Sequence, residues 1–406
     1  MKIIPPKDQK VNATPTLSSS KSESNRALII QSLSNNKINL NNLSFSEDTQ
    51  ILQSALNNLN TQNNINCNNA GTTFRFLTSY LSTIEGDWTI DGSSRLQQRP
   101  ISHLVEALIE LGANIEYNRR NGFAPIKIKG TEFKKNKVDI YGNVSSQFIS
   151  ALLLIAPSLK DGLKLNIKGP IYSKPYIELT LKMMSDFGIK YKWKDSLIEI
   201  TRQPYKTNNY TIENDWSAAS YWYSMAALSK KSTISIKGLK EKSHQGDAII
   251  KEYFKYFGID SRFKNNELII KKTSEPIKKT IKLNLNAYPD IAQTIAVTCV
   301  GLGLECHLNG LETLQLKETN RLEALKIEFQ KLGIQCNLEN NSINIPGNQS
   351  LKYQHTVATY NDHRMAMAFT PLSLITGEIN IKDPEVVKKS YPEFWNDLSK
   401  AGFVIQ

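Results

Sequence analysis

The sequence has few of the residues that cross-link a protein or bind metals. Its 406 residues include only four cysteines, with no Cys-x-x-Cys pair, and five histidines that are dispersed along the chain. This usage disfavours a disulfide framework and a zinc site, and it favours a reduced, cytoplasmic chain. The cysteines are Cys67, Cys299, Cys306 and Cys336.

Long apolar runs and nucleotide-binding motifs are also missing. No apolar run reaches the ~20 residues that a membrane span needs, and the start "MKIIPPKDQK" lacks the apolar region of a secretory signal. Neither a Gly-x-Gly-x-x-Gly motif nor a phosphate-binding P-loop motif occurs. We therefore expect no membrane partner and no nucleotide site of either of these two types.

The net charge is strongly positive, at +12. Basic chains bind nucleic acid, membranes or small anions. The lysines fall in short scattered clusters such as "FKKNKV" and "EPIKKTIK", which a solvated surface also explains. An RNA-binding repeat protein stays an alternative, and it predicts a contiguous basic stripe with stacking aromatics. The aromatics fall instead mainly at apolar helix positions.

Six segments share one design, a helix-capping residue type followed by a nearly all-apolar stretch of helical length. Helices that are apolar all round are buried in a core. After a first step of 50 residues, the segments recur every 72 or 73 residues. The predicted capping residues are Ser22, Thr72, Ser145, Ser217, Asp290 and Asp362.

An amphipathic helix follows each buried helix and usually ends at a glycine before a strand-like stretch. A glycine with positive φ is a common helix ending, and its recurrence predicts six units of about 70 residues, each with two helices and several strands. The natural division is near residues 211–216, and the N-terminus supplies a strand to the second half. The predicted glycine stops are Gly112, Gly188, Gly258, Gly333 and Gly402.

Hydroxyl groups are concentrated at the helix starts of the first half, in "SKSESNR", "NNAGTTFR" and "SSQF". Helix starts present free N–H groups and the positive end of the dipole, where phosphates and carboxylates bind. Plain capping explains any one segment, but three at equivalent places favour one convergent anion site, which the backbone at Gly71 could approach closely. The accompanying cations are Lys21, Arg26, Arg75, Arg95 and Arg99.

The second half contributes further cations and two carboxylates. Lys317, Glu318 and Arg321 lie within one helical turn. Arg364 opens an apolar helix, where an unpaired charge would be costly. Asp290 and Glu318 are either structural counter-ions or groups that move protons during a reaction, and the residues alone leave both interpretations open. The remaining cation of this set is Lys389.

Taken together, these motifs resemble the 5-enolpyruvylshikimate-3-phosphate (EPSP) synthase family. The resemblance runs in order along the whole chain, through "SKSESNRAL", "NAGTTFRFL", "RLQQRPI", "SSQFISALLLIAP", "SKPYIELTL", "SHQGD", "KETNRL", "NDHRMAMAF" and "KSYPEFW". It implies an α/β fold of two similar domains, each of three βαβαββ repeats in an inside-out α/β barrel, with two interdomain crossovers. The implied domains are residues 17–215 and residues 1–16 plus 216–406, with the active site in the cleft between them.

The resemblance also implies the reaction and its site. The enolpyruvyl group of phosphoenolpyruvate is transferred to the 5-hydroxyl of shikimate 3-phosphate, without cofactor, metal or nucleic acid, by a monomer. The residues implied to bind shikimate 3-phosphate are Lys21, Ser22, Arg26, Ser145, Ser146, Gln147, Ser173, Tyr176, Asp290 and Lys317. Those implied to bind phosphoenolpyruvate are Lys21, Gly71, Thr72, Arg99, Gln147, Arg321, Arg364 and Lys389. The implied catalytic groups are Asp290 as the base for the 5-hydroxyl, with Glu318 and Lys21 as the proton route at the methylene.

The chain departs from the family pattern at several positions without losing a charged catalytic group. Asn68 stands where the family commonly has Gly, Phe76 where it has Pro, Thr313 where it has Asn and Asn320 where it has Asp. The nearest rival interpretation is the sister transferase that acts on UDP-N-acetylglucosamine. It relies on a cysteine in a loop of its N-terminal half, whereas the only cysteine in this half of the chain, Cys67, lies in an Asn-rich, strand-like stretch. A third interpretation is a relative that has lost its catalytic activity. The charged site residues, which are all retained, argue against it.

Overall fold

A computed structural model of the chain describes residues 1–35, 37–206, 209–352 and 356–406. Contacts divide the chain into two compact units. Unit one comprises Met1–Ser18 and Glu213–Gln406, and unit two comprises Ser19–Ile212. Among the described residues, no helix is long and apolar enough to cross a membrane.

The strands of the described residues are short, as in the predicted repeat. They are β1 (Lys2–Ile4), β2 (Lys10–Ala13), β3 (Asn39–Asn41), β4 (Asn64–Asn66), β5 (Asp87–Asp91), β6 (Asn114–Tyr117), β7 (Ile126–Lys129), β8 (Lys137–Tyr141), β9 (Leu163–Lys168), β10 (Tyr191–Lys194), β11 (Leu197–Ile200), β12 (Asn209–Thr211), β13 (Lys231–Lys237), β14 (Ile259–Lys264), β15 (Glu267–Lys272), β16 (Thr280–Asn284), β17 (Glu305–Asn309), β18 (Asn337–Glu339), β19 (Ser342–Ile345), β20 (Thr356–Val357), β21 (Ile379–Ile381) and β22 (Val404–Ile405).

The α-helices alternate with these strands, and short 3-10 turns extend several of them. The α-helices are α1 (Lys21–Leu33), α2 (Glu47–Asn57), α3 (Gly71–Leu81), α4 (Ser102–Leu111), α5 (Ser146–Ile155), α6 (Lys174–Asp186), α7 (Trp216–Leu228), α8 (Ile250–Tyr253), α9 (Ala292–Gly301), α10 (Arg321–Lys331), α11 (His363–Phe369), α12 (Ser373–Thr376) and α13 (Phe394–Lys400).

Each unit contains three small sheets. In unit two the strand orders are β12-β3, β4-β5-β7-β6 and β10-β11-β9-β8. In unit one they are β14-β15-β13-β2, β16-β17-β19-β18 and β20-β21-β1-β22. Within the described residues, five sheets therefore have four strands and one has two.

The predicted βαβαββ order is clearest in residues 137–200, where β8, α5, β9, α6, β10 and β11 follow one another. The strands β8 and β9 are parallel, and β11 lies antiparallel to both β9 and β10. A parallel pair needs a crossover helix, whereas the antiparallel pair is joined by a tight turn. This explains why the repeat of residues 137–200 has a buried helix between its parallel strands and ends in a hairpin.

The N-terminal residues complete two sheets of unit one. The strand β2 pairs in parallel with β13, and β1 lies antiparallel between β21 and β22. The prediction that the N-terminus supplies a strand to the second half is confirmed. The chain consequently passes from unit one to unit two after Ser18 and returns after Ile212.

The helices predicted to be apolar all round form the centre of each unit. Every residue of α3 and of α11 is buried, and α5, α7 and α9 are buried along almost their whole length. Each unit has its own hydrophobic core. The five predicted glycine stops all have positive φ, as the helix endings require.

Four of the six predicted helix caps are wrong. Ser20, and not Ser22, accepts the N–H of Glu23 at the start of α1, and Asp215, and not Ser217, caps α7. Thr72 lies inside α3, which Ala70 precedes. Asp290 lies in a 3-10 turn, Pro289–Ile291, before α9. Only the predictions for Ser145 and Asp362 are confirmed.

Candidate active site

The guanidinium of Arg321 is the centre of a buried charge network in unit one. Arg321 opens α10 and has 1% of its side chain exposed. Its Nε donates to Oδ2 of Asp362 at 2.7 Å, its Nη1 to Oδ1 of Asp290 at 3.0 Å and its Nη2 to Oε2 of Glu318 at 2.9 Å. Burial alone would lower the pKa of Arg321, but the three carboxylates raise it, so this residue stays charged. We call the set Asp290, Lys317, Glu318, Arg321, Asp362, Arg364 and Lys389 the arginine network.

The carboxylate of Asp290 lies among three cations. Nζ of Lys317 is 3.2 Å from Oδ1, and Nη2 of Arg364 donates to Oδ2 at 3.0 Å. Burial by itself would raise the pKa of Asp290. The positive charges of Arg364, Lys317 and Arg321 outweigh it and hold the pKa of this carboxyl well below its usual value.

The arginine network contains more cations than carboxylates. Glu318 bridges Arg321 and Lys389, whose Nζ lies 3.3 Å from Oε1 of Glu318. Four cations thus stand with three carboxylates. Cations held this close together repel one another and attract negative charge, so the network is suited to an anionic ligand.

A fourth carboxylate, Asp247, lies beside this network and is also altered by its surroundings. Ser217 donates its hydroxyl to Oδ2 of Asp247 and also lies 3.4 Å from Nη2 of Arg364. Oδ1 of Asp247 is buried without a hydrogen-bond partner among the described residues. Burial, together with the negative charge of Asp290, raises the pKa of Asp247 to about 7.

In unit two, Lys21 is the first residue of α1 and is held by an acid. Its Nζ lies 3.2 Å from Oδ2 of Asp48, near the start of α2. The Lys21 side chain is 15% exposed and that of Asp48 is 5% exposed. An ion pair so little exposed fixes the position of the ammonium group more firmly than a surface pair would.

Two arginines and an amide surround the start of α3. Arg75 donates to Oε1 of Gln147 at 2.7 Å, and Nε2 of Gln147 donates to the hydroxyl of Thr72 at 2.9 Å. A Cβ on Gly71 would come within 2.6 Å of the guanidinium nitrogens of both Arg75 and Arg99. A side chain at position 71 would displace these two guanidinium groups, so Gly71 lets them pack directly over its backbone. The structure brings together the four predicted ligands Gly71, Thr72, Arg99 and Gln147.

Arg26, which the resemblance assigned to shikimate, is 2% exposed and donates into the interior of unit two. Its guanidinium donates to the hydroxyls of Thr180 at 2.7 Å and Ser150 at 3.2 Å, and to the carbonyls of Ser22 at 2.8 Å and Tyr176 at 3.2 Å. Burial lowers its pKa to about 10. Arg26 thus connects α1, α5 and α6, and among the described residues four of its five N–H donors are engaged.

The predicted phosphate ligands lie at the starts of two helices that pack together, α5 and α6. Ser145 caps α5 and Ser146 begins it. Ser173 precedes α6 in a left-handed conformation, with φ 53°, and is 5% exposed. Tyr176 lies in the first turn of α6. Two neighbouring helix starts with hydroxyl groups are a suitable arrangement for a phosphate.

Sequence reasoning missed the acids that hold the cations. No motif singles out Asp48, Asp247 stands within "SHQGD" without a predicted role, and Asp362 is predicted as a cap but not as the partner of Arg321. These partners are far away in the chain, so no local spacing could reveal them. In the part of the chain that the structure describes, no group of three or more His, Cys, Asp or Glu residues could hold a metal ion.

The structure gives a physical account of some departures from the family pattern. Asn68 has a φ of 46°, a conformation that Gly adopts freely and that Asn tolerates better than most residues. Asn320 accepts the N–H of Glu323 at 3.4 Å and so caps α10, as an Asp there would. Phe76 is buried, with the guanidinium carbon of Arg26 5.5 Å from the centre of its ring.

Comparison with known proteins gives one consistent result. A family model described as EPSP synthase (3-phosphoshikimate 1-carboxyvinyltransferase) matches residues 53–398. A 3-phosphoshikimate 1-carboxyvinyltransferase of Bacteroides fragilis is 46% identical over 399 residues, which is 98% of this chain and 97% of that protein. One of Colwellia psychrerythraea is 32% identical over 418 residues, covering 96% and 97%. An EPSP synthase structure from Acinetobacter baumannii superposes with a TM-score of 0.79 at 20% identity, covering 100% of this chain and 99% of the other. The predicted fold class is confirmed.

The perturbed pKa of Asp247 predicts how the stability of unit one depends on pH. The pKa is about 7 in the folded chain, against a reference value of 3.8. Between these values the folded state keeps a proton that the unfolded state has released, so stability falls as the pH rises. We expect Asp247→Asn to reduce the fall in Tm between about pH 5 and about pH 8, measured by circular dichroism.

The matched control is Asp260→Asn, which removes an exposed carboxylate from the same unit. Its Tm should follow the wild-type profile at every pH. A wild-type profile that runs parallel to that of Asp247→Asn would show that Asp247 is already ionised at low pH.

Proposed function

Because the chain belongs to the EPSP synthase family, we propose that it transfers the enolpyruvyl group of phosphoenolpyruvate to the 5-hydroxyl of shikimate 3-phosphate. The products are 5-enolpyruvylshikimate 3-phosphate and inorganic phosphate, in the shikimate route to aromatic amino acids. The observation that carries this proposal is 46% identity over 98% of the chain to a relative that bears the name of this activity. The charged residues that the resemblance assigns to the substrates are all present, although Asn320 replaces an Asp of the family pattern.

We propose that the two units are the two domains of the family and that both contribute ligands to one site in a cleft. The arginine network of unit one would bind the carboxylate and phosphate of phosphoenolpyruvate, because guanidinium groups pair with such groups in bidentate fashion. The helix starts of unit two, at Ser145, Ser146 and Ser173, would hold the phosphate of shikimate 3-phosphate. Substrate binding would then close the cleft and exclude water.

Asp290 is proposed as the base for the 5-hydroxyl, and its present surroundings suggest how it becomes one. With three cations beside it, Asp290 is ionised but weakly basic. When phosphoenolpyruvate takes up guanidinium donors of Arg364 and Arg321, the attraction that keeps the pKa low decreases. Binding of the second substrate would thus make Asp290 basic when the hydroxyl must lose its proton.

Glu318 is proposed to move the proton at the methylene carbon, together with Lys21. In the addition, C3 of phosphoenolpyruvate gains a proton while the 5-oxygen bonds to C2. In the elimination, C3 loses a proton as the C2–O bond to phosphate breaks. Glu318 lies between Arg321 and Lys389, so anion binding to these cations would also release Glu318 for proton transfer.

The sister transferase activity has less support than the proposed function. The sister transferase uses a reactive loop cysteine, whereas Cys67 is fully buried directly after β4. Burial, reinforced by the charges of Asp48 and Asp91, raises the pKa of Cys67, which disfavours a reactive thiolate. We further propose a cytoplasmic monomer, to which the four buried free cysteines are suited.

The experiment that tests the function is phosphate release by the purified protein. Release should require both phosphoenolpyruvate and shikimate 3-phosphate, because the proposed chemistry breaks the C2–O bond only after addition to C2. Folded protein that releases no phosphate with both substrates would refute the assignment. Release with UDP-N-acetylglucosamine in place of shikimate 3-phosphate would favour the sister activity.

Glu318→Gln should lower kcat at least ~10²-fold, because an amide cannot carry the proton to and from C3. The protein should remain folded, since Gln keeps an oxygen that accepts from Arg321. The matched control is Glu323→Gln, the same change at an exposed position of α10, which should leave kcat unchanged. Equal kcat values in the two variants would exclude Glu318 from proton transfer.

Arg364→Ala should weaken phosphoenolpyruvate binding about tenfold or more, because hydrogen bonds to charged groups are lost. The KM for shikimate 3-phosphate should change much less. Arg262→Ala removes an exposed arginine of unit one and serves as the control. A larger effect on shikimate 3-phosphate than on phosphoenolpyruvate would overturn the proposed division of ligands.

A further inference from the structure

The turn that precedes α11 has an unusual backbone. Tyr360 and Asn361 follow each other with φ values of 55° and 56°. Successive positive φ values also occur at Asn265–Asn266 and Asn340–Asn341, because a type I′ turn requires them and Asn tolerates them. A residue as bulky as Tyr rarely adopts this left-handed conformation. The next residue, Asp362, caps α11 and binds Arg321, and Arg364 follows two residues later. The turn therefore leads directly into a main cation of the arginine network.

A buried carboxylate on α10 enforces this turn. Oε1 of Glu328 accepts the hydroxyl of Tyr360 at 2.6 Å, and Oε2 accepts the backbone N–H of Ala358 at 3.3 Å. The side chain of Glu328 is fully buried, and Lys331, which is 39% exposed, pairs with Oε1 at 2.7 Å. A carboxylate is costly to bury unless it is hydrogen-bonded and paired, and Glu328 meets both conditions.

Helix α10 consequently holds the turn at two points. Its first residue, Arg321, fixes Asp362 at one end, and Glu328, two helical turns later, fixes Ala358 and Tyr360 at the other. A further hydrogen bond, from the N–H of Asp362 to the carbonyl of Thr359 at 2.8 Å, closes the turn between these points. The backbone between Ala358 and Asp362 has little freedom as a result.

We propose that Glu328, acting through Tyr360, is a positioning residue for Arg364 and hence for phosphoenolpyruvate. The proposal rests on the proposed function, which assigns Arg364 to that substrate. The hydroxyl of Tyr360 reaches Glu328 from within the turn, so it transmits the constraint from α10 to α11. If the hydroxyl is lost, the two left-handed residues can relax and Arg364 moves relative to Asp290, from which it now lies 3.0 Å.

The decisive variant is Tyr360→Phe, which removes only this hydroxyl. A misplacement of about 1 Å is enough to cost a large factor in an enzyme reaction, and we expect the KM for phosphoenolpyruvate to rise about tenfold. The KM for shikimate 3-phosphate should stay within about twofold of the wild-type value. The split between the two KM values separates positioning from a general loss of stability.

Lys331→Met is the matched control, because it removes a charged partner of Oε1 of Glu328 without changing a residue of the turn. It should leave both KM values unchanged. Glu328→Gln keeps an oxygen for the Tyr360 hydroxyl, so it should retain most of the affinity for phosphoenolpyruvate that Glu328→Ala loses. Unchanged KM values in Tyr360→Phe, or an equal rise in Lys331→Met, would overturn the proposal.

Two measurements keep this test separate from the proposed function. Arg364→Ala in the same assay shows whether Arg364 binds phosphoenolpyruvate at all, and inactivity of the wild type would refute the function itself. A crystal structure of Tyr360→Phe reports on the turn without any substrate. Positive φ at both positions and an unchanged contact between Arg364 and Asp290 would overturn the positioning role whatever the assay gives.

Discussion

The structure of unit one depends on keeping the charge of Arg321 inside the protein. A guanidinium that is almost completely buried needs hydrogen-bond partners on every side of its planar fork, and at Arg321 those partners are carboxylates, which also balance its charge. Asp362, Asp290 and Glu318 meet this need from three different segments. The starts of α9, α10 and α11 are therefore bound to one point, and the remaining cations gather around the same acids.

This arrangement also affects how a ligand can bind. The carboxylates of the arginine network already satisfy many of its donors, so an anionic substrate must replace interactions within the protein rather than water. Such an exchange gives modest net affinity, because each bond gained replaces one lost. An anion that takes up guanidinium donors also frees the carboxylates that held them. Substrate binding is thereby linked to the basicity of Asp290 and to the mobility of Glu318. In this view, recognition and proton transfer use the same charges.

The sequence predicts the repeat, the buried helices and most of the charged site residues, because these depend on local patterns. It predicts the helix caps poorly. Several residues near each start can act as caps, and tertiary contacts decide between them: Ser217 binds Asp247, and Asp290 binds three cations, so neither caps its helix. The acids Asp48, Asp247 and Asp362 could not be paired with their cations for the same reason, since their partners come from remote segments.

The sheets that β1 and β2 complete have a consequence for synthesis on the ribosome. Unit two is one continuous stretch, and its last strand, β12, pairs with β3 near its beginning. It can fold as soon as residue 212 has left the ribosome. The strands β1 and β2 are made first but find β13, β21 and β22 only after unit two has been made. Until then they are unpaired edges that other chains could bind, so the sheet of β1 forms only after β21 and β22 have been made.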